Sequence, residues 1–208
     1  MPRSRYDQIV ALAEEYDGLI TSKQARYEGL TDSLLARLTK RGKIKRIARG
    51  VYRIPYIPLN RFSQYREVFL WVQSHRGPAL VAFSHETALA AYGFSDANPA
   101  AIHLTVPPGA RLRRNKVRGV VLHRREIKAA EITTLQGLPL TTVERTVADL
   151  IEAGARIDLI KQLIDDARRE GFTTVTETRR LRRGIDRYLK TLQKRRVEPG
   201  SLKRSRRG

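Results

Sequence analysis

Apolar residues recur at helical spacing in the first part of the chain. Across residues 5–17 (RYDQIVALAEEYD), Ile9, Val10, Leu12, Ala13 and Tyr16 form one stripe, which predicts a helix ended at Gly18. A second short helix, SKQARYE, follows with Thr21 or Ser22 as its cap and stops at Gly29. Thr31 or Asp32 caps a third, in which Leu34, Leu35 and Leu38 bury one side. After Gly42 the period changes. The runs KIKRI and VYRI flank Ala48-Arg49-Gly50, a three-residue turn with glycine last, and predict a β-hairpin. Pro55 and Pro58 mark its exit, and residues 55–62 read as a short, stiff linker.

A second set of elements follows. Gln64 to Ser74 predicts an amphipathic helix with Trp71 in the core, and Ser84 is expected to cap a helix, HETALAAYG. Strand-like runs occupy 102–106 (IHLTV) and 117–125 (VRGVVLHRR), separated by the turn-rich PPGARLRRNK. Residues 132–142 predict a hairpin or two short strands around Gly137, and two helices follow, Val143 to Ala153 and Ile157 to Glu170. Helical spacing returns from Arg179 to Gln193. The expected class is α+β: a winged helix-turn-helix over residues 1–60, a mixed α/β domain with a small, mostly antiparallel sheet over 61–175, and a basic helix and disordered tail over 176–208.

Charge narrows the function. The 208 residues hold 41 Lys and Arg against 21 Asp and Glu, a net charge of +20. Such an excess points to a polyanion, nucleic acid first and an acidic protein or anionic membrane surface second. From Thr178 to Gly208, thirteen basic residues face two acidic ones, giving that segment +11. There it predicts sequence-independent phosphate attraction that falls with salt, although the same charge also serves as a solubilising tail. No stretch approaches the roughly 18 apolar residues of a membrane span, and MPRSRYDQ lacks an apolar signal region. A soluble cytoplasmic protein is expected. With no cysteine, neither disulfides nor thiolate chemistry is possible.

The winged unit concentrates the candidate recognition residues. Opposite the leucines of the third helix lie Ser33, Arg37, Lys40 and Arg41, a front that suits a major groove. Lys43, Lys45, Arg46, Arg49 and Arg53 put positive charge on the hairpin, as a phosphate- or minor-groove-contacting wing requires. Thr21, Ser22, Lys23 and Thr31 at the two helix starts complete the candidate DNA-binding set. A charged helix face is also often only a solvated surface, and helix-turn-helix units also dock proteins. No catalytic, cofactor or metal site is expected. Of the four histidines, His75, His85, His103 and His123, no two stand i, i+4 apart, and Ser84-His85-Glu86 reads as a capping group. Thr142, Arg145 and Asp149 share a helix face, read as an Arg145–Asp149 ion pair or a recognition face.

These residues carry a family resemblance. GLITSKQA followed by GLTDSLLARLTKRGKIKRIARGVYRIP resembles the winged domain of the AbiEi family, the antitoxin half of abortive-infection, type IV toxin–antitoxin pairs. FSHETALAAYGF, AIHLTVPPG, VVLHRREI and GLPLTTVERTVADLI resemble its second domain, so the likeness spans roughly residues 5–170. The resemblance implies a repressor of its own operon whose second domain counteracts a nucleotidyltransferase-like toxin. Its DNA partner would be a double-stranded operator, occupied by two copies where half-sites repeat. Its DNA-facing residues would be Lys23, Ser33, Arg37, Lys40, Arg41, Lys45, Arg46 and Arg49. A related architecture carries a Vsr-like endonuclease after the same two modules, but here the chain continues as helices and a basic tail with no acidic nuclease motif. Two alternatives stand beside the antitoxin: a winged regulator without a toxin partner, and a nuclease-like enzyme using histidines and carboxylates.

Overall fold

The computed structural model describes residues 4–74, 80–94, 99–110, 112 and 119–197. His75, much of the expected turn between 107 and 116, and the tail beyond Val197 lie outside the described residues. Among those described, no helix is long and apolar enough to cross a membrane.

Three helices open the chain: α1 (Arg5–Glu14), α2 (Ser22–Tyr27) and α3 (Asp32–Lys40). Each starts on a hydroxyl that accepts a backbone N–H: Ser4 from Asp7, Thr21 from Gln24, and Thr31 from Leu34. In the first two, Asp7 and Gln24 reach back to the cap residue's own N–H, closing reciprocal boxes. The first helix ends earlier than its apolar stripe suggests. Asp17 and Gly18 both take positive φ, 53° and 81°, and a Cβ at Gly18 would fall 2.9 Å from Ile57 Cβ. Only glycine fits there.

That turn launches a strand the spacing did not reveal. β1 (Leu19–Thr21) pairs antiparallel with β3 (Val51–Arg53), which also pairs antiparallel with β2 (Lys45–Ala48), giving the order β1-β3-β2. Ala48 faces Val51, so the hairpin turns on Arg49 and Gly50 alone, and the register slips between Arg46 and Ala48. The expected three-residue turn is a two-residue turn beside a bulge. Ile9, Ala13, Ile20, Leu35, Ile44 and Ile54 fill the core between helices and sheet.

Helix α4 (Ser63–Ser74) follows an Asn60 turn in which Oδ1 accepts the Phe62 N–H at 2.8 Å. It packs against β1 and β3 on one hand and against the last strand of a second sheet on the other. That sheet comprises β4 (Ala82–Phe83), β5 (Ile102–Val106), β6 (Val120–Arg124), β7 (Ile132–Leu135) and β8 (Leu138–Thr141), in the order β6-β5-β4-β8-β7. The β4–β5 and β7–β8 pairings are antiparallel, and β5–β6 and β4–β8 are parallel. Over both sheets, four described pairings are antiparallel and two parallel. Helices α5 (His85–Tyr92), α6 (Val143–Glu152), α7 (Ile157–Arg169) and α8 (Val175–Val197) pack around a larger core of Phe83, Leu104, Leu140, Leu150, Leu163 and Ile185. Trp71 is buried in it, as expected. The chain is thus α+β, with a winged helical unit leading into a mixed domain.

Candidate nucleic-acid interface

The sequence of α3 dictates which way it faces. Leu34, Leu35 and Leu38 are buried, while Ser33, Ala36, Arg37 and Lys40 form an exposed strip along the nine-residue helix. Arg41 sits at its C-cap and is exposed too. Among the described residues, the ion pairs include none made by Arg37, Lys40, Arg41, Lys45 or Arg49. A strip of free cations on a firmly seated helix can form charge-assisted hydrogen bonds to base edges or phosphates.

Other predicted residues meet in a neighbouring groove. Thr21, Ser22, Lys23, Arg46 and Arg49 line a cleft of about 760 Å³ between the start of α2 and the wing, joined by Arg26 and Tyr52. Ser22 N–H donates to Gly50 O at 2.8 Å, tying the helix start to the hairpin tip. Arg26, which is outside the candidate set, pairs with Asp32 at 2.9 Å across the turn between α2 and α3. The Thr21 and Thr31 hydroxyls hold helix caps, and Thr31 also bonds Ser33 Oγ at 2.9 Å. Lys43 lies 5.9 Å above the Tyr6 ring on α1, apart from the groove.

One wing residue is not where its charge suggested. Arg53 is 8% exposed, and its guanidinium pairs with Glu67 of α4 at 2.6 Å. β3 is the central strand of its sheet and α4 lies against it, so all three of its residues are buried. Arg53 is therefore a structural ion-pair partner, reinforced nearby by the Arg66–Asp17 pair.

The second domain holds a set of polar groups inside. Arg145 pairs with Asp149 at 2.9 Å, with Glu131 at 3.0 Å, and donates to Glu126 O, so the face seen in the sequence is an ion-pair network. Burial pushes the Asp149 carboxyl up, against the pull of Arg145. The Lys128 N–H and Arg145 hold Glu131 below the usual carboxylate range. Thr141 and Thr146 hydroxyls bond at 2.7 Å in the core, and Tyr92 O–H donates to Thr141 O at 2.8 Å. On α8, Ile185 turns into the core while Arg179, Arg183, Arg187 and Lys190 stay exposed at i, i+4, i+8 and i+11, one stripe of the helix.

Ser84 holds the N-cap position of α5 expected of it, but with its backbone alone. Its side chain caps nothing; its Oγ lies 2.9 Å from His85 Nδ1. His85 has a φ of 54°, and its ring stacks on His123 with centroids 3.7 Å apart. His103 Nδ1 in turn lies 2.9 Å from His123 Nε2. Three histidines spread over 39 positions of the chain (85 to 123) thus converge. The sequence signal was one histidine in each of FSHETALAAYGF, AIHLTVPPG and VVLHRREI, two of them inside apolar strands. Burial and mutual repulsion push His85 down to about 3, and burial likewise lowers His103 and His123.

Comparison with known proteins agrees with this architecture. A family model described as a transcriptional regulator, AbiEi antitoxin, matches residues 7–55, the winged unit. Another, the AbiEi antitoxin C-terminal domain, matches residues 80–183, half of the chain. The fold is similar to that in the crystal structure of the RV2827C protein from Mycobacterium tuberculosis, with a TM-score of 0.57 at 16% identity, over 86% of this chain and 71% of that one. At that identity the likeness is one of fold. No curated protein matches the chain. With both its winged unit and its second domain matched, the chain belongs to the AbiEi family of antitoxins and transcriptional regulators.

Proposed function

We propose that this protein is a non-enzymatic, DNA-binding antitoxin that represses its own operon and counteracts a nucleotidyltransferase-like toxin from the same operon. The observation that carries the DNA half is the exposed strip Ser33–Ala36–Arg37–Lys40 on α3, flanked by the free cations of the wing. The antitoxin half rests on membership of the family.

In this reading the winged unit, residues 1–60, is the operator reader, and residues 61–175 meet the toxin in the cytoplasm. Ser33, Arg37 and Lys40 enter the major groove from α3. Arg41, Lys43, Lys45, Arg46 and Arg49 hold phosphates beside it, with Ser22 and Lys23 at the start of α2. Thr21 and Thr31 orient the helices through their caps. The α8 stripe and the basic residues beyond it add attraction without sequence preference. Two copies bind an operator with repeated half-sites.

The test is a fluorescence-anisotropy titration of the protein against a duplex from its own promoter and a scrambled duplex, each at several salt concentrations. The proposal predicts tighter binding to the promoter by ~10³-fold or more, with a negative salt slope for both duplexes. Equal affinity for both duplexes at every salt concentration would contradict an operator reader.

A further inference from the structure

Side chains that spread far along the chain converge at one point of the second domain, and the proposed DNA binding does not use it. We propose that His85, His103 and His123 form a binding site for one divalent transition-metal ion of the imidazole-preferring class, zinc being the reference case.

The tertiary structure brings the three ligands together before any metal arrives. His103 and His123 lie on adjacent parallel strands, where His103 is opposite Val121 and His123 opposite Thr105. Alternation puts both histidines on one face of the sheet. His85 begins α5, which packs on β5, and Ser84 N–H donates to His103 O at 3.1 Å while His103 N–H donates to Thr87 Oγ1 at 2.8 Å. These bonds lock the start of α5 to the strand that carries the second ligand. One nitrogen from each of the three rings then lies within 4.8 Å of the others.

Three further features suit a cation site. Where His103 Nδ1 faces His123 Nε2 at 2.9 Å, one of the two must carry a proton to avoid opposed lone pairs. A tetrahedral ion with Zn–N bonds near 2.0–2.1 Å spaces two ligand nitrogens by about 3.3 Å. Replacing that proton by the ion therefore asks the facing atoms to part by only a few tenths of an ångström. His85, in turn, can donate from Nδ1 to Ser84 Oγ, which leaves Nε2 with a free lone pair, the arrangement that fixes the tautomer of metal-bound histidines. The left-handed backbone at His85 is a strained conformation for a residue with a Cβ, of the kind that clusters at binding sites.

Occupancy requires one rearrangement. Stacked rings cannot both aim their lone pairs at a common ion, so His123, which is half-buried, turns out of its stack on His85. Local charge permits it. The two guanidiniums that act on the cluster, Arg125 and Arg145, pair with Glu152 and with Glu131 and Asp149, while the charge of Glu86 favours a cation near His103. Three imidazoles leave the remaining coordination position to water.

The experiment is a zinc titration of the tag-free, chelator-treated full-length protein, followed by competition with a chromophoric chelator, with cobalt substitution read by its visible absorption. One ion per chain is expected, with tetrahedral cobalt bands. His103→Gln and His123→Gln should each weaken binding by more than ~100-fold, Ser84→Ala by ~10–100-fold as a positioning residue, and His75→Gln not at all. Circular dichroism of each variant identifies any that fails to fold. Since both strand histidines are partly exposed, at least one of their variants is expected to remain native. Absence of saturable binding would overturn the site, as would full affinity in a folded His103→Gln/His123→Gln double variant.

Discussion

The two halves of this molecule treat polar side chains in opposite ways. In the winged unit, Arg37, Lys40, Arg41, Lys45 and Arg49 point outward and make none of the described ion pairs. In the second domain, Arg145, Asp149, Thr141, Thr146 and three histidines are buried or half-buried and engaged with one another. Free exposed cations contribute little to folding and are available to a polyanion, whereas satisfied buried networks specify one packing. The winged unit is thus built to spend its polar groups on a partner, and the second domain to spend them on itself.

The contrast can be broken most sharply at Arg53, the wing cation that does not follow its neighbours. Replacing Glu67 by Gln leaves that guanidinium buried without its counter-charge. It should destabilise the protein by about 2–3 kcal/mol, below the range for fully buried pairs because Glu67 is partly exposed. Chemical denaturation measures this, and a loss under about 0.5 kcal/mol would place Arg53 with the free cations. Arg37→Ala should do the reverse. Stability should stay within about 0.5 kcal/mol. Operator affinity should fall by about 1–3 kcal/mol with little change on random duplex, if Arg37 reads a base. Equal losses on both duplexes would make it a phosphate contact.

Inside the second domain, Asp149→Asn should cost about 1–2 kcal/mol by thermal or chemical unfolding. The loss stays modest because burial already disfavours the charge and Glu131 remains on Arg145. The smallest effect is expected on α8, where Arg183→Gln with Arg187→Gln should flatten the salt slope of DNA binding by about 0.9 per lost phosphate contact and leave the preference for operator unchanged. An unaltered slope would return that stripe to solvent.

The same contrast explains what the chain reveals on inspection. Helices α1 to α3, with hydroxyl starts and leucines at helical spacing, are local events and were legible. So were the hairpin around Gly137 and the core position of Trp71. β1 was not, because three residues, Leu19–Thr21, become a strand only when β3 arrives from 30 positions away. Arg53 read as a wing cation because strand order and the placement of α4 cannot be seen in VYRI. Ser84 caps with its backbone alone because its hydroxyl's partner is the ring of His85, held by a backbone angle that helix-start patterns do not encode. The histidine cluster was least visible of all. Its members share no helix or hairpin, and only the parallel β5–β6 pairing and the packing of α5 bring them together.

The central claim is that operator reading and toxin neutralisation reside in different halves of one chain. Because α4 packs against β1 and β3, cutting the chain at residue 62 would strip that helix of its support, so the division is better tested in the full-length protein. The measurement is growth of cells expressing the neighbouring gene of the operon, alone, with the unaltered protein, and with a Ser33→Ala/Arg37→Ala/Lys40→Ala variant, alongside a reporter for the operon promoter. The account predicts a toxic neighbour, full rescue by both proteins, and repression by the unaltered protein only. A harmless neighbour, or rescue that disappears together with repression in the variant, would contradict it.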